Sequence, residues 1–191
     1  MAIGTRRVSR RDDAGGLRAL ALPLVLSLAL AQPAVPVRAQ ALETVRTLDD
    51  GWRFQAGDDL AWAAPDLDDG GWRRVNGTAS WHARGDAPAG GVGWYRRRIE
   101  VPRGQAMGVG LARAHDAAEI YLDGQLAAAN GDLAARHPGL AVPFQGRAPD
   151  GAADDGQLVV AVRLWASLNP HNDGRVIGPF VGPAEAARLS V

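Results

Sequence analysis

Arg163 to Asp173 reads RLWASLNPHND and gathers an arginine, a tryptophan, two asparagines, a histidine and an aspartate within eleven residues. Side chains of these types bond hydroxyl groups, and an indole stacks on the apolar face of a sugar ring, so the stretch suits a small polyol or glycan held by loops on a stable scaffold. A second such group surrounds Trp81, which shares a polar stretch with His82, Arg84 and Asp86. The candidate ligand-binding residues are Trp81, His82, Arg163, Trp165, Asn169, His171, Asn172 and Asp173. Each also has a plainer explanation. Asn169-Pro170 and Asn172-Asp173-Gly174 make turns, and Arg163, set between Val162 and Leu164, needs an acidic partner if it is buried. An exposed Trp81 predicts that Trp81→Ala and His171→Ala weaken binding with little change in melting temperature; substitution of Trp94 should do the reverse.

Other chemistries find weaker support. The four histidines, at 82, 115, 137 and 171, are far apart and show no ligand spacing, so no zinc site is assigned. Asp66-Leu67-Asp68-Asp69-Gly70 starts like a calcium loop, but the twelfth position is Gly77 where the hand motif needs a bidentate glutamate. It reads as a solvated turn capped by aspartate. A structural calcium held by backbone carbonyls would leave little trace in sequence; none is indicated and no cofactor is expected. No nucleophile elbow, phosphate loop or dinucleotide fingerprint occurs, and no catalytic residue is assigned. Arg84-Gly85-Asp86 and Asn76-Gly77-Thr78 match short adhesion and glycosylation patterns that arise by chance.

The elements that must position these groups are short, rich in β-branched and aromatic residues, and divided by Gly, Pro, Asn and Asp from Gly91 onward, an all-β rhythm. Trp94 to Val101 reads as a strand that splits Arg96, Arg97 and Arg98 between two faces. Met107 to Arg113 is a weaker strand. Glu119 to Asn130 is a hairpin turning at Asp123-Gly124. Gln157 to Trp165, apolar on both faces, belongs in a sheet centre. Before Gly91 the periodicity is poor, with one helical turn over Asp59 to Ala64 stopped by Pro65. Trp52, Trp62, Trp72 and Trp94 are best placed in a core or as plugs over a sheet, given the area an indole buries. The fold class expected is all-β, a two-sheet antiparallel sandwich of jelly-roll type.

The first 39 residues read as an export signal. Arg6, Arg7, Arg10 and Arg11 precede the 13-residue apolar run Ala19 to Ala31, which suits a signal h-region and is too short to span a bilayer; Val37-Arg38-Ala39 supplies the cleavage site. Asp12-Asp13 spoils a twin-arginine reading. A periplasmic or secreted location follows, with residues 40–182 as the sandwich and 183–191 as a tail that starts a helix or linker. Without the leader the chain carries 15 arginines against 19 acidic residues, a net charge of −4, and no basic stripe for nucleic acid. All 21 basic side chains are arginine and there is no cysteine, so the domain is held by packing alone. No second apolar run of spanning length follows.

GWRFQAGDDLAWAAPDLDDGGWRRV from Gly51, then Trp81, GWYRRRIEVP from Gly93, AEIYLDGQLAAANG from Ala118 and LVVAVRLW from Leu158 together resemble the N-terminal sugar-binding domain of family-two glycoside hydrolases. The likeness covers about Leu48 to Gly182 and implies the galactose-binding-like jelly roll. The GDDLAWAAPDLDD pattern and the ending IGPFVG are similar to the version that fronts bacterial membrane signalling proteins. The resemblance implies a carbohydrate or polyol ligand and a downstream signalling domain as partners. It implies no hydrolysis by this chain, because the paired carboxyl groups that glycoside cleavage requires belong to a separate barrel domain in the family. Three readings follow: a non-catalytic extracytoplasmic carbohydrate-binding or ligand-sensing module, a structural or protein-interaction module, or an N-terminal remnant of a glycoside hydrolase. Whether the chain is a fragment or a stand-alone module stays open.

Overall fold

The computed structural model of the chain describes residues 45–86, 90–113, 116–168 and 174–188. The leader read over residues 1–39 lies outside them, as do Asn169, His171, Asn172 and Asp173. In chain order the strands are β1 (Arg46–Thr47), β2 (Trp52–Ala56), β3 (Arg73–Val75), β4 (Val92–Glu100), β5 (Met107–Arg113), β6 (Ala117–Leu122), β7 (Gln125–Asn130), β8 (Phe144–Arg147), β9 (Gln157–Trp165) and β10 (Ile177–Pro183). A 3-10 turn spans Leu60–Ala63, and two short helices, α1 and α2, span Trp81–Arg84 and Ala184–Arg188. One sheet runs β1-β10-β5-β8 and the other β3-β2-β4-β9-β6-β7. Every pairing is antiparallel, so the protein is an all-β sandwich. None of the described helices is long and apolar enough to cross a membrane.

Strand β9 organises the larger sheet. It pairs along its whole length with β4 and over six residues with β6, the central position its two apolar faces require. Leu158, Val160, Val162 and Leu164 point into the sandwich and are buried. They meet Trp52, Phe54 and Tyr95 in the main core. The β6–β7 hairpin turns at Asp123-Gly124, both at positive φ (45° and 81°), which suits a tight two-residue turn. The Asp123 carboxylate also accepts from Val159 N–H at 2.8 Å and ties the turn to β9.

The outer face of the larger sheet carries the stretch from Gly57 to Trp72. Asp59 caps the 3-10 turn by accepting from Ala61 N–H, and Pro65 follows it. Trp62 packs edge-on against Trp72 and Trp94, with ring centres 5.2 and 6.4 Å away. Trp94 is fully buried and the other two indoles partly so. Arg96, also without exposed surface, donates to the carbonyls of Trp62 and Ala64 and to the Asp69 carboxylate. The indoles at 52, 62, 72 and 94 are thus core and plug. The acidic turn is more than a solvated cap: Asp68 accepts from Gly70 N–H, while Asp69 pairs with both Arg53 and Arg96.

Five strands escape sequence periodicity, among them the two-residue β1. β3 has three residues, two of them exposed arginines. β10 holds two glycines and two prolines in seven residues, a composition that argues against a strand. β10 forms because its backbone pairs with β5 from Ile177 to Pro183 and with β1. β2 and β8 are five and four residues long, too short for alternation to stand out.

Candidate functional site

The described candidate residues fall at one end of the sandwich but on two faces of the larger sheet. Arg163 and Trp165 project from β9 on the outer face, the face of Trp94, which lies opposite Arg163. Trp81 packs on the inner face against Phe54 and Tyr95. Its position corrects the expectation of an exposed indole in a polar loop: Trp81 has 0% exposure. The cause is local. Ser80 caps α1 by accepting from Ala83 N–H, and Gly85 closes it in the left-handed conformation (φ 71°). One turn of helix therefore tips the indole inward, where it lies parallel to the Tyr95 ring. Gly93 leaves room for it, since a Cβ there would also lie 2.6 Å from Phe54. Tyr95 Oη donates to Gly174 O, which fixes the chain beside the indole.

Arg163 takes the structural role. It donates to Asp58 through Nε and Nη2 at 2.7 and 2.9 Å and to Glu119 through Nη1 at 3.1 Å. Burial opposes its charge, but the bonds to Asp58 and Glu119 outweigh that and raise its pKa. The acidic partners sit on the outer face of the larger sheet, not inside the sandwich. Glu119 also accepts from Tyr121 Oη at 2.6 Å; burial first, then this carboxylate, hold the phenol well above its usual value. Trp165 belongs to a small cluster with Val92, Ala117 and Leu133, and the guanidinium of Arg136 covers its ring at 5.8 Å.

A feature of α1 that sequence pattern could not reveal is its unused donor capacity. Trp81 Nε1 and His82 Nε2 are each buried and have no hydrogen-bond partner among the described residues. Buried polar nitrogens are paired in the great majority of cases, so two on adjacent residues of one four-residue helix stand out. The Arg84 guanidinium is engaged, with Asp86 and with Ala79 O. Burial works against its charge, but bonds to Asp86 and Tyr95 prevail and raise its pKa. Asp86 in turn accepts from Arg73 of β3, so α1 is clamped to the sheet edge. Among the described residues no group of three or more acidic or histidine side chains is placed to hold a metal ion.

A two-sheet antiparallel sandwich with a polar end is the class of module to which these observations lead. No protein-family model matches the chain, and no curated protein matches it. Solved structures do. A β-glucuronidase from Bacteroides uniformis superposes with a TM-score of 0.55 at 19% identity, over 73% of this chain and 18% of that one. A glycosyl hydrolase family 2 member from Bacteroides cellulosilyticus gives 0.53 at 20% identity, over 72% and 20%. A β-glycosidase from Bacteroides vulgatus gives 0.52 at 16%, over 72% and 20%. The chain therefore shares the fold of a sandwich found within family-two glycoside hydrolases, and it spans about a fifth of the length of the structures it matches.

Proposed function

We propose that this chain is a non-catalytic, extracytoplasmic module that binds a carbohydrate or similar polyhydroxylated ligand, and that it serves as the sensing portion of a larger signalling protein. The observation that carries the reading is the polar end of the sandwich at α1, where His82 and Arg84 are partly exposed above the buried Trp81. Hydroxyl oxygens are acceptors that indole and guanidinium N–H groups can use, and a site built to bond hydroxyls discriminates strongly against analogues that lack them. The likeness to glycoside-hydrolase sandwiches supports the same class of ligand. The short helix α2, which follows directly from β10, is where the module would lead into a further domain. A ligand signals through that connection only by favouring one of two arrangements.

A second reading, a structural or protein-interaction module, is favoured by a specific observation. Trp81, Arg163 and Trp165 are all consumed by contacts within the domain. Calorimetric titration with neutral mono- and oligosaccharides at millimolar concentration separates the two. Saturable heat that weakens in His82→Ala supports the binding module; no heat with any sugar supports the scaffold.

A further inference from the structure

The opposite end of β4 carries a different kind of site. The ladder between β2 and β4 runs from Ala56–Gly93 to Arg53–Arg96 and stops there, while β4 continues against β9 as far as Glu100. Beyond Arg53 the two strands splay, and a cleft of about 650 Å³ opens between them. That is the size of a small-molecule pocket. Arg53, Arg74, Arg96, Arg97 and Arg98 line it, against Asp50 and Asp69, a local charge of +3 in a domain whose overall charge without its leader is −4.

The register concentrates this charge. Arg74 of β3 faces Arg53 of β2, and Arg53 faces Arg96 of β4, so three guanidiniums stand in a row across three strands. Like charges directly opposite on a sheet destabilise it. One carboxylate, Asp69, answers two of them: it meets Arg53 Nε at 3.1 Å and Arg96 Nε at 3.2 Å. The Arg74 guanidinium, exposed at the edge of the row, takes part in no hydrogen bond or ion pair among the described residues. Arg98 uses one nitrogen on Pro65 O and Arg97 one on Asp50 O, which leaves each guanidinium further N–H groups. Burial, and then the nearby Arg46, hold the Arg97 pKa below its ordinary value.

We propose that this cleft binds an oxyanion, a carboxylate, sulfate or phosphate borne by a small polar molecule, with Arg74 as the principal contact and Arg98, on the same sheet face, completing the charge. Guanidinium groups take such oxyanions through paired N–H bonds. A cleft of this size between two strands suits a small ligand better than a nucleic acid, which needs a basic stripe. The site lies at the other end of β4 from α1 and does not depend on the sugar-binding reading.

The test is calorimetric titration of the full chain at low, constant ionic strength with glucuronate, inorganic sulfate and inorganic phosphate, and with glucose as the uncharged control. The arms separate a sugar acid from a free inorganic anion. The expected result is saturable binding of at least one oxyanion at a site that Arg74→Ala weakens, whereas any heat from glucose is the same in Arg74→Ala and the parent. Arg74→Ala should weaken that binding about tenfold or more without lowering the melting temperature, Arg74→Lys should restore part of it, and His82→Ala should leave it unchanged. The proposal is overturned if no oxyanion saturates, or if Arg74→Ala binds the oxyanions like the parent. It is also overturned if a DNA duplex binds with steep salt dependence while all the small oxyanions fail.

Discussion

Replacement of Arg96 by methionine is the sharpest probe of how the outer face is built. Arg96 is fully buried, and its three guanidinium nitrogens serve the carbonyls of Trp62 and Ala64 and the carboxylate of Asp69. Its guanidinium carbon also lies 6.0 Å from the ring centre of Trp72. Methionine has a similar reach but donates nothing. Each carbonyl that loses a charged donor and stays dry costs about 1.5–3 kcal/mol. Partial rewetting of the Gly57 to Trp72 stretch, and release from the cost of burying the guanidinium, offset some of this. The net loss should be about 3–5 kcal/mol, the range for removing one partner of a buried ion pair. At roughly 2–4 °C per kcal/mol for a domain of this size, the melting temperature should fall by about 10 °C. Urea denaturation followed by circular dichroism gives the free energy, and tryptophan emission reports Trp62 and Trp72, which should shift to the red as the stretch loosens. A loss below about 1 kcal/mol with unchanged emission would refute the reasoning and show that the indoles alone hold the stretch in place.

Three further outcomes follow from the same contacts. Trp81→Ala should cost about 3–5 kcal/mol in chemical denaturation, because it empties a fully buried site; an unchanged midpoint would restore the exposed-platform expectation. Gly93→Ala should destabilise by about 1–3 kcal/mol in the same assay, since the added methyl would lie 2.6 Å from Phe54. Burial raises the Asp123 pKa in the folded state, so the native chain holds this proton more tightly than the unfolded one. Its contribution to stability is present below the unfolded value, about 3.9, and is lost as pH rises through the folded value. Asp123→Asn keeps an acceptor for Val159 N–H, so its denaturation midpoint should fall less than the parent's across that window; identical pH profiles would count against the assignment.

What the residues disclosed and what they concealed divides along physical lines. Strands β5 and β9, the β6–β7 hairpin and the turn after Asp59 were legible because alternation, a positive-φ pair and a capping residue are local signals. The division of Arg96 and Arg98 from Arg97 followed from strand geometry alone. β10 was not legible, because its glycines and prolines oppose a strand and only pairing with β5 holds it. The inward turn of Trp81 was hidden for a similar reason: Ser80 and Gly85 signal a short helix, but nothing in the chain says which way its indole points. Arg163 showed the need for an acidic partner, but Asp58 lies 105 residues away and could not be named. The row of Arg74, Arg53 and Arg96 likewise exists only once three strands are in register.

The indole N–H resonances test the sugar-binding proposal most directly. The chain has six tryptophans, and the Trp81 signal can be assigned by its disappearance in Trp81→Phe. On titration with a neutral saccharide that binds at α1, the Trp81 indole proton, buried directly beneath His82 and Arg84, should shift and saturate as the contacts around it change, while those of Trp62, Trp72 and Trp94 stay in place. A Trp81 signal that stays fixed against every neutral saccharide at millimolar concentration would contradict the proposal and leave the domain as a scaffold.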